Sequence, residues 1–312
     1  MLLEILENMS RNSEITIFVI PSIIDIDWTS PSALLLSSIR CYFTSLLRRN
    51  YYVIGHTIAR IDSPFLPQPV YAAMSGAAQS EKVDMVINKG LGFGAVGSTI
   101  HGHIEPEEKI LRGLKLYASR KKVAFIKFRV NEDAVRRVIQ YIDSFGKNTN
   151  KFFAPCEIYN GSLWPRYKNE GSGCSAFTMA LLEVANLLPA ESEWFDRIKI
   201  PMNLIGGEFN NNKKIKVTNI FRTKSWYEGD GEEDVDYITY KVFDPSLIFN
   251  WILRKRNEND AGFEAVEENG MLGLAADRHE MVYAANDPVF KQRTDYNLFV
   301  KHYYSKLQGM GL

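Results

Sequence analysis

Glu170-Gly171-Ser172-Gly173-Cys174-Ser175-Ala176-Phe177 leads into the helical run Thr178 to Leu188, and this junction decides how the rest of the chain is read. The first amides of a helix have no internal partner, and the helix dipole adds partial positive charge there. A thiol at such a place has its thiolate stabilised, which lowers its pKa and makes it a better nucleophile at neutral pH. The glycines on either side of Ser172 leave the approach to the sulfur uncrowded. The competing reading is the commoner fate of a cysteine, burial as a small apolar residue.

The 312 residues suffice for one large domain or two smaller ones, with a sizeable core in either case. Thirty-seven basic residues balance 37 acidic ones, so bulk charge gives no reason to expect nucleic acid or an anionic membrane as partner. Cys41, Cys156 and Cys174 are too few and too scattered for a disulfide framework or a four-thiolate zinc site, which fits a reducing compartment. Met1 to Glu7 lacks the basic start and apolar core of a secretory signal. The apolar run Ile15 to Ile24 is broken by Pro21 and too short to span a bilayer. The expected location is therefore the cytoplasm, or export without a recognisable signal peptide, and no integral membrane segment is expected.

Working outward from the cysteine, β-branched content predicts a buried strand over Ile15–Ile20, then a helix from Ser30-Pro31 to about Arg49. Strands are expected over Tyr51–Ile61, Val70–Met74, Ser98–Ile104, Val123–Val130, Lys214–Phe221 and Tyr237–Phe243. Helices are expected over Glu81–Lys89, Pro106 to about Lys122, Glu132–Phe145 with Asn131 as cap, from Asp244-Pro245-Ser246 onward, and over Tyr296–Leu307. This mixture reads as a single α+β domain over residues 1–312.

A thiolate nucleophile needs a base, usually histidine, brought to it by the fold. Among His56, His101, His103, His279 and His302, His56 stands out in Val53-Ile54-Gly55-His56-Thr57-Ile58-Ala59-Arg60-Ile61. Period two places Tyr52, Ile54, His56 and Ile58 on one strand face, where a polar ring must find a partner. A core histidine bonded to backbone is the plain alternative.

Gly55-His56-Thr57-Ile58-Ala59 on a strand, followed far downstream by Gly173-Cys174-Ser175-Ala176-Phe177 opening a helix, resembles the circularly permuted papain-like superfamily. That group includes lecithin:retinol acyltransferase and bacterial cysteine peptidases and amidases. The resemblance implies an antiparallel sheet packed on a helix that carries the cysteine at its N-terminus. The core would lie at about 50–190, with an added amino-terminal strand and helix and a carboxyl-terminal extension at 200–312. It implies a thiol-dependent hydrolase or acyltransferase acting on an amide or ester bond, with Cys174 as nucleophile, His56 as base and no cofactor. The substrate would be a peptide or peptidoglycan-type amide by preference, an acyl lipid next. The third catalytic residue is expected on the strand after the histidine strand, yet Val70-Tyr71-Ala72-Ala73-Met74 offers alanines. His103, His101 or Glu105 would substitute, with His103 favoured.

Two other classes compete. A non-catalytic binding protein that keeps the fold would explain the missing acid. A metal-dependent enzyme is suggested by His101-Gly102-His103-Ile104-Glu105, whose polar side chains share one strand face and which His279 would complete. Gly92-Phe93-Gly94-Ala95-Val96-Gly97 matches GxGxxG formally, but a helix leads in and a strand leads out, the reverse of a dinucleotide site. Trp164, Arg166 and Tyr167 either line a substrate groove or anchor the cysteine loop. The basic helix with Lys109, Arg112, Lys115, Arg120, Lys121 and Lys122 reads as a solvated face.

Overall fold

The computed structural model describes residues 12–48, 52–76, 79–147, 152–190, 192–258, 262–281 and 287–311. The expectations for the extreme amino terminus, Arg49 and Tyr51 lie outside these residues. In chain order the elements are β1 (Glu14–Ile20), α1 (Pro31–Arg48), β2 (His56–Asp62), β3 (Val70–Ala72), β4 (Met74–Gly76), α2 (Gln79–Ile87), α3 (Gly94–Gly97), β5 (Ile100–Ile104), α4 (Glu107–Ser119), β6 (Ala124–Val130) and α5 (Glu132–Gly146). They continue with β7 (Ile158–Tyr159), α6 (Cys174–Val184), β8 (Phe195–Pro201), α7 (Val217–Arg222), β9 (Tyr237–Phe243), α8 (Pro245–Lys255), β10 (Glu264–Glu268), β11 (Met271–Arg278) and α9 (Leu298–Gly309).

The chain is α+β. Its principal sheet has six strands in the order β10-β11-β6-β1-β2-β3. β6 and β11 run parallel while the other neighbours are antiparallel, so the sheet is mixed and not the wholly antiparallel one expected. β1, expected as an addition outside a core at about 50–190, lies in the sheet interior: Ile17 faces Ala59 on one side and Ile126 on the other. Both faces of β1 are buried, which is why its sequence is continuously apolar instead of alternating. β11, from the expected carboxyl-terminal extension, joins the same sheet.

On one sheet face Ala59, Ile61 and Ile126 meet Tyr141 and Phe145 of α5, Phe177 of α6 and Trp251 of α8. On the other, Phe18, Ile58 and Phe125 meet Ile110, Leu114 and Tyr117 of α4. Smaller sheets, β4-β5-β7 and β8-β9, flank this core. Helix starts follow their caps. Asn131 Oδ1 accepts from the Ala134 N–H at 3.0 Å, and Asp244 Oδ1 accepts from the Ser246 N–H at 2.7 Å.

Three local expectations need correction. β2 begins at His56 and not near Tyr51, because Gly55 turns the chain at φ +64° against Pro245, where any Cβ would lie 2.9 Å from that ring. The cysteine helix starts at Cys174 itself and ends at Val184, earlier than the run Thr178 to Leu188. Residues 214–221 are not a strand. Only Ile215 bonds extended to Gly90, and α7 coils from Val217 so that Ile220 reaches the core.

The loop ahead of α6 is fixed from both sides. The Ser172 N–H donates to the Ile158 carbonyl at 3.0 Å and the Asn160 N–H to the Ser172 carbonyl at 3.3 Å. Between them the backbone comes so near that a Cβ on Gly171 would sit 2.0 Å from the Ile158 oxygen. Glu170, fully buried, receives Arg293 Nε at 2.6 Å and Nη2 at 3.2 Å, the Tyr304 hydroxyl at 2.9 Å and the Trp164 N–H at 2.8 Å. A carboxylate this deep is tolerated only because each lone pair is used. Arg293→Ala strands it without its cation, so we expect a loss of about 3 kcal/mol, near the lower end for breaking a buried pair. A lowered urea midpoint at unchanged slope checks this.

Candidate active site

Cys174 is the first residue of α6, with Gly173 as its N-cap. Gly173 supplies no side chain to cap the helix, so the first-turn amides face the space beside the thiol. Around the end of the principal sheet, His56 comes to the same point. As the first residue of β2 it shares the α4 face with Ile58, while Thr57 turns to the α6 face. Thr57 Oγ1 donates to the Cys174 carbonyl at 3.2 Å and receives the Thr178 hydroxyl at 2.7 Å, which ties strand to helix. The result brings the Cys174 thiol and the His56 imidazole to the same wall of one cavity, close enough for each to shift the other's ionisation.

Behind the ring stands Glu105, at the end of β5 and fully buried, with Oε2 3.7 Å from His56 Nε2. That separation is an ion-pair distance, longer than a hydrogen bond. The same oxygen accepts the Tyr52 hydroxyl at 2.8 Å, and Oε1 accepts Lys109 Nζ at 2.7 Å together with the Ser75 hydroxyl. Tyr52 also lies flat on the imidazole, with centroids 4.0 Å apart and planes at 14°. Tyr117 holds Tyr52 in place by receiving its N–H at 3.1 Å. The ring of His56 is thus fixed in position and in tilt.

The electrostatics follow from these contacts. Burial alone would drive His56 toward neutrality, but the contact with Cys174 and then that with Glu105 outweigh it and push the pKa up to about 9. Burial would likewise raise Glu105, yet His56, Lys109 and Ser75 hold its carboxyl well below the usual range. For Cys174 burial is again opposed, here by the hydrogen bond and charge of His56, and the thiol ends lower than normal. Burial raises the thiols of Cys41 and Cys156 instead. These shifts all favour a thiolate–imidazolium pair backed by a carboxylate, a combination suited to attack on a carbonyl.

The acid facing His56 is therefore Glu105, and the expectation for His103 is corrected. His103 pairs with Ser75 across the β4–β5 ladder, and Glu105 continues the same register one residue past the end of β5 at Ile104. The Glu105 N–H still bonds to the Ala73 carbonyl at 2.9 Å, at the position where a third residue was sought. His101 is exposed, and His279 bonds to Asp277 at 2.8 Å. Among the described residues no group of three His, Cys, Asp or Glu side chains is placed to hold a metal ion, so the HxH strand does not build the facial site considered from the sequence. The Gly92–Gly97 segment packs instead of cradling phosphate. A Cβ on Gly94 would lie 2.6 Å from the Gly206 oxygen, and one on Gly97 would lie 2.3 Å from the Phe299 ring.

Cys174 and His56 open onto a cavity of about 1470 Å3, beyond the usual 300–1,000 Å3 of a small-molecule pocket. Trp164 and Tyr167 line it, as one sequence reading expected. Arg166 does not serve a ligand. It is buried and spent on Asp287 at 3.0 Å and Glu183 at 3.4 Å. Tyr52 also lines it, as do Tyr159 and Tyr240, which nothing in the sequence singled out. Among the described residues no helix is long and apolar enough to cross a membrane. The chain matches no protein-family model, no curated protein and no solved structure.

Iodoacetamide should modify Cys174 at least about tenfold faster than Cys41 or Cys156 at pH 7, as a lowered thiol pKa requires. The advantage should persist as pH falls below the ordinary thiol range and fade as pH rises through about 9, where His56 loses its proton. Glu105→Gln removes the charge that favours the imidazolium, so the thiolate fraction at pH 7 should drop by about tenfold or more. Mass mapping of timed alkylation reads both effects.

Proposed function

We propose that the protein is a thiol-dependent hydrolase or acyltransferase acting on an amide or ester bond, of the permuted papain-like kind. The observation that carries this is a thiol at the first position of a helix beside an imidazole that is itself backed by a buried carboxylate. The chain order, histidine strand before cysteine helix, agrees with that reading, and Glu105, one of the substitutes named for the acid missing from Val70–Met74, lies 3.7 Å from His56.

In this mechanism the Cys174 sulfur attacks the carbonyl carbon and His56 protonates the departing nitrogen or oxygen, leaving a thioester. Water or an acceptor then attacks the thioester while His56 takes its proton. Glu105 remains ionised throughout and keeps the ring charged and oriented. The Cys174 amide supplies one donor to the carbonyl oxygen as it becomes negative.

A peptide or peptidoglycan-type amide suits a cavity of this volume. An acyl ester is the second reading, favoured by its wall. Leu35, Ile39 and Phe43 of α1 repeat every four residues along that wall, and the row runs out to Leu46 and Leu47 at the surface. A p-nitrophenyl ester should acylate wild-type Cys174 in a burst, visible as released nitrophenolate and as added mass on that residue. Cys174→Ala should abolish the burst. If the acyl reading holds, a decanoyl ester reacts at least about tenfold faster than an acetyl ester, since each buried methylene adds about 0.8 kcal/mol. Ile39→Asp should then bring the two rates together. A wild-type thiol no more reactive than Cys156 would leave a binding protein that retains the fold.

A further inference from the structure

Helix α1 is built inside out. After Pro31 its buried side chains are Ser32, Ser37, Cys41 and Ser45, small and mostly polar. Its exposed ones, among the described side chains, are Leu36, Arg40, Phe43, Leu46 and Leu47. A helix on the surface of a globular body ordinarily does the reverse. The inward polar groups are all used. The Ser37 hydroxyl donates to the Ala33 carbonyl at 2.9 Å and accepts the Asp27 N–H at 3.0 Å. The Cys41 thiol donates to the Val53 carbonyl at 2.7 Å, and the Ser45 hydroxyl to the Tyr42 carbonyl at 2.8 Å. Leu36, Arg40, Phe43 and Leu47 fall on one outward row at helical spacing, with Leu46 beside it. Ile54 and Ile87 are exposed as well, and together with Phe43 they line the cavity that holds Cys174. Single exposed leucines are ordinary, but buried polar and exposed apolar faces exchanged on one helix are not.

We propose that the outer face of α1 is an interfacial docking surface that rests on an anionic lipid bilayer, with the mouth of the cavity turned toward the lipid. The inference goes beyond the acyl-transfer reading and does not depend on it. Continuity is the first argument. Phe43, Ile54 and Ile87 belong both to the exposed patch and to the cavity wall, so the patch rims the opening. A second copy seated there would cover that opening, whereas a bilayer accounts for the apolar row and leaves the opening in reach of what the bilayer carries. Charge is the second argument. The chain as a whole is balanced, with 37 basic and 37 acidic residues, yet Pro31–Arg48 holds two arginines and no acid. Arg40 stands exposed within the apolar row, where a guanidinium reaches headgroup phosphates while neighbouring leucines enter the acyl boundary. An interfacial helix usually offers its polar face to water. Here the protein body takes that face through Ser37, Cys41 and Ser45, and the apolar face is left outward on a helix already folded.

Full-length protein should co-sediment with vesicles of phosphatidylcholine containing about 30 % phosphatidylserine, and added salt should weaken the association. Leu46→Asp combined with Leu47→Asp should cut vesicle affinity by at least about tenfold, because two side chains that enter the interface become charged. Both are exposed in the free protein, Leu47 at 86 %, so the substitutions remove no packing from the fold. Arg40→Glu should lower affinity for the anionic vesicles by about fivefold or more, while affinity for phosphatidylcholine alone stays within about threefold. A wild-type protein that stays in solution beside the vesicles overturns the proposal. Equal binding by the wild type and the double variant overturns it as well. A dimer in sedimentation that the double variant abolishes, with no vesicle binding, gives the face to a second copy and overturns it too. Vesicle binding is read without turnover, so an unreactive Cys174 ends the enzyme reading and leaves this one standing.

Discussion

A carboxylate without solvent is the constraint around which this protein is arranged. Glu105 has no exposed side-chain surface, and such a charge survives in a protein interior only when every lone pair is answered. Tyr52, Lys109 and Ser75 answer directly, and His56 answers with a positive charge it would otherwise have shed on burial. The carboxylate and the ring therefore require each other. Their partners come from β4, α4 and the segment before β2, so three separate parts of the chain must meet the carboxylate and the ring before the charge is stable.

The same logic places the thiol. The ring that Glu105 keeps charged is the group that lowers the Cys174 pKa against the opposing effect of burial. Geometry is supplied from elsewhere. Thr57 and Thr178 fasten β2 to α6, and Glu170 with Arg293 fastens the preceding loop to the carboxyl-terminal region. Two buried carboxylates thus serve the centre differently, Glu105 through charge on the histidine and Glu170 through position of the loop.

Much of the local structure could be read directly. Asn131 and Asp244 cap the helices they precede, and Val123 to Val130 is a strand nearly as drawn, because caps and β-branched runs act over a few residues. Cys174 at a helix start and His56 at a strand are of this kind too. The strand expected near Lys214 failed for a related reason. Val217, Thr218 and Ile220 favour extended backbone, but burying Ile220 against the core overrides so weak a preference. β1 was misjudged as an appendage because a strand's place in a sheet depends on partners more than a hundred residues away, here β6.

Strand alternation gives His103 and Glu105 the same face, and nothing local shows which of the two lies against His56. Sequence alone determined the chemistry available: one thiol with helix amides beneath it, a histidine ahead of it, and charged side chains within a short strand. Tertiary structure alone decided which carboxylate meets the ring and which tyrosines line the cavity beside the sulfur. The reason is physical. Helix and strand signals arise from neighbours along the chain, whereas a pKa shift arises from burial and from charges brought close through space.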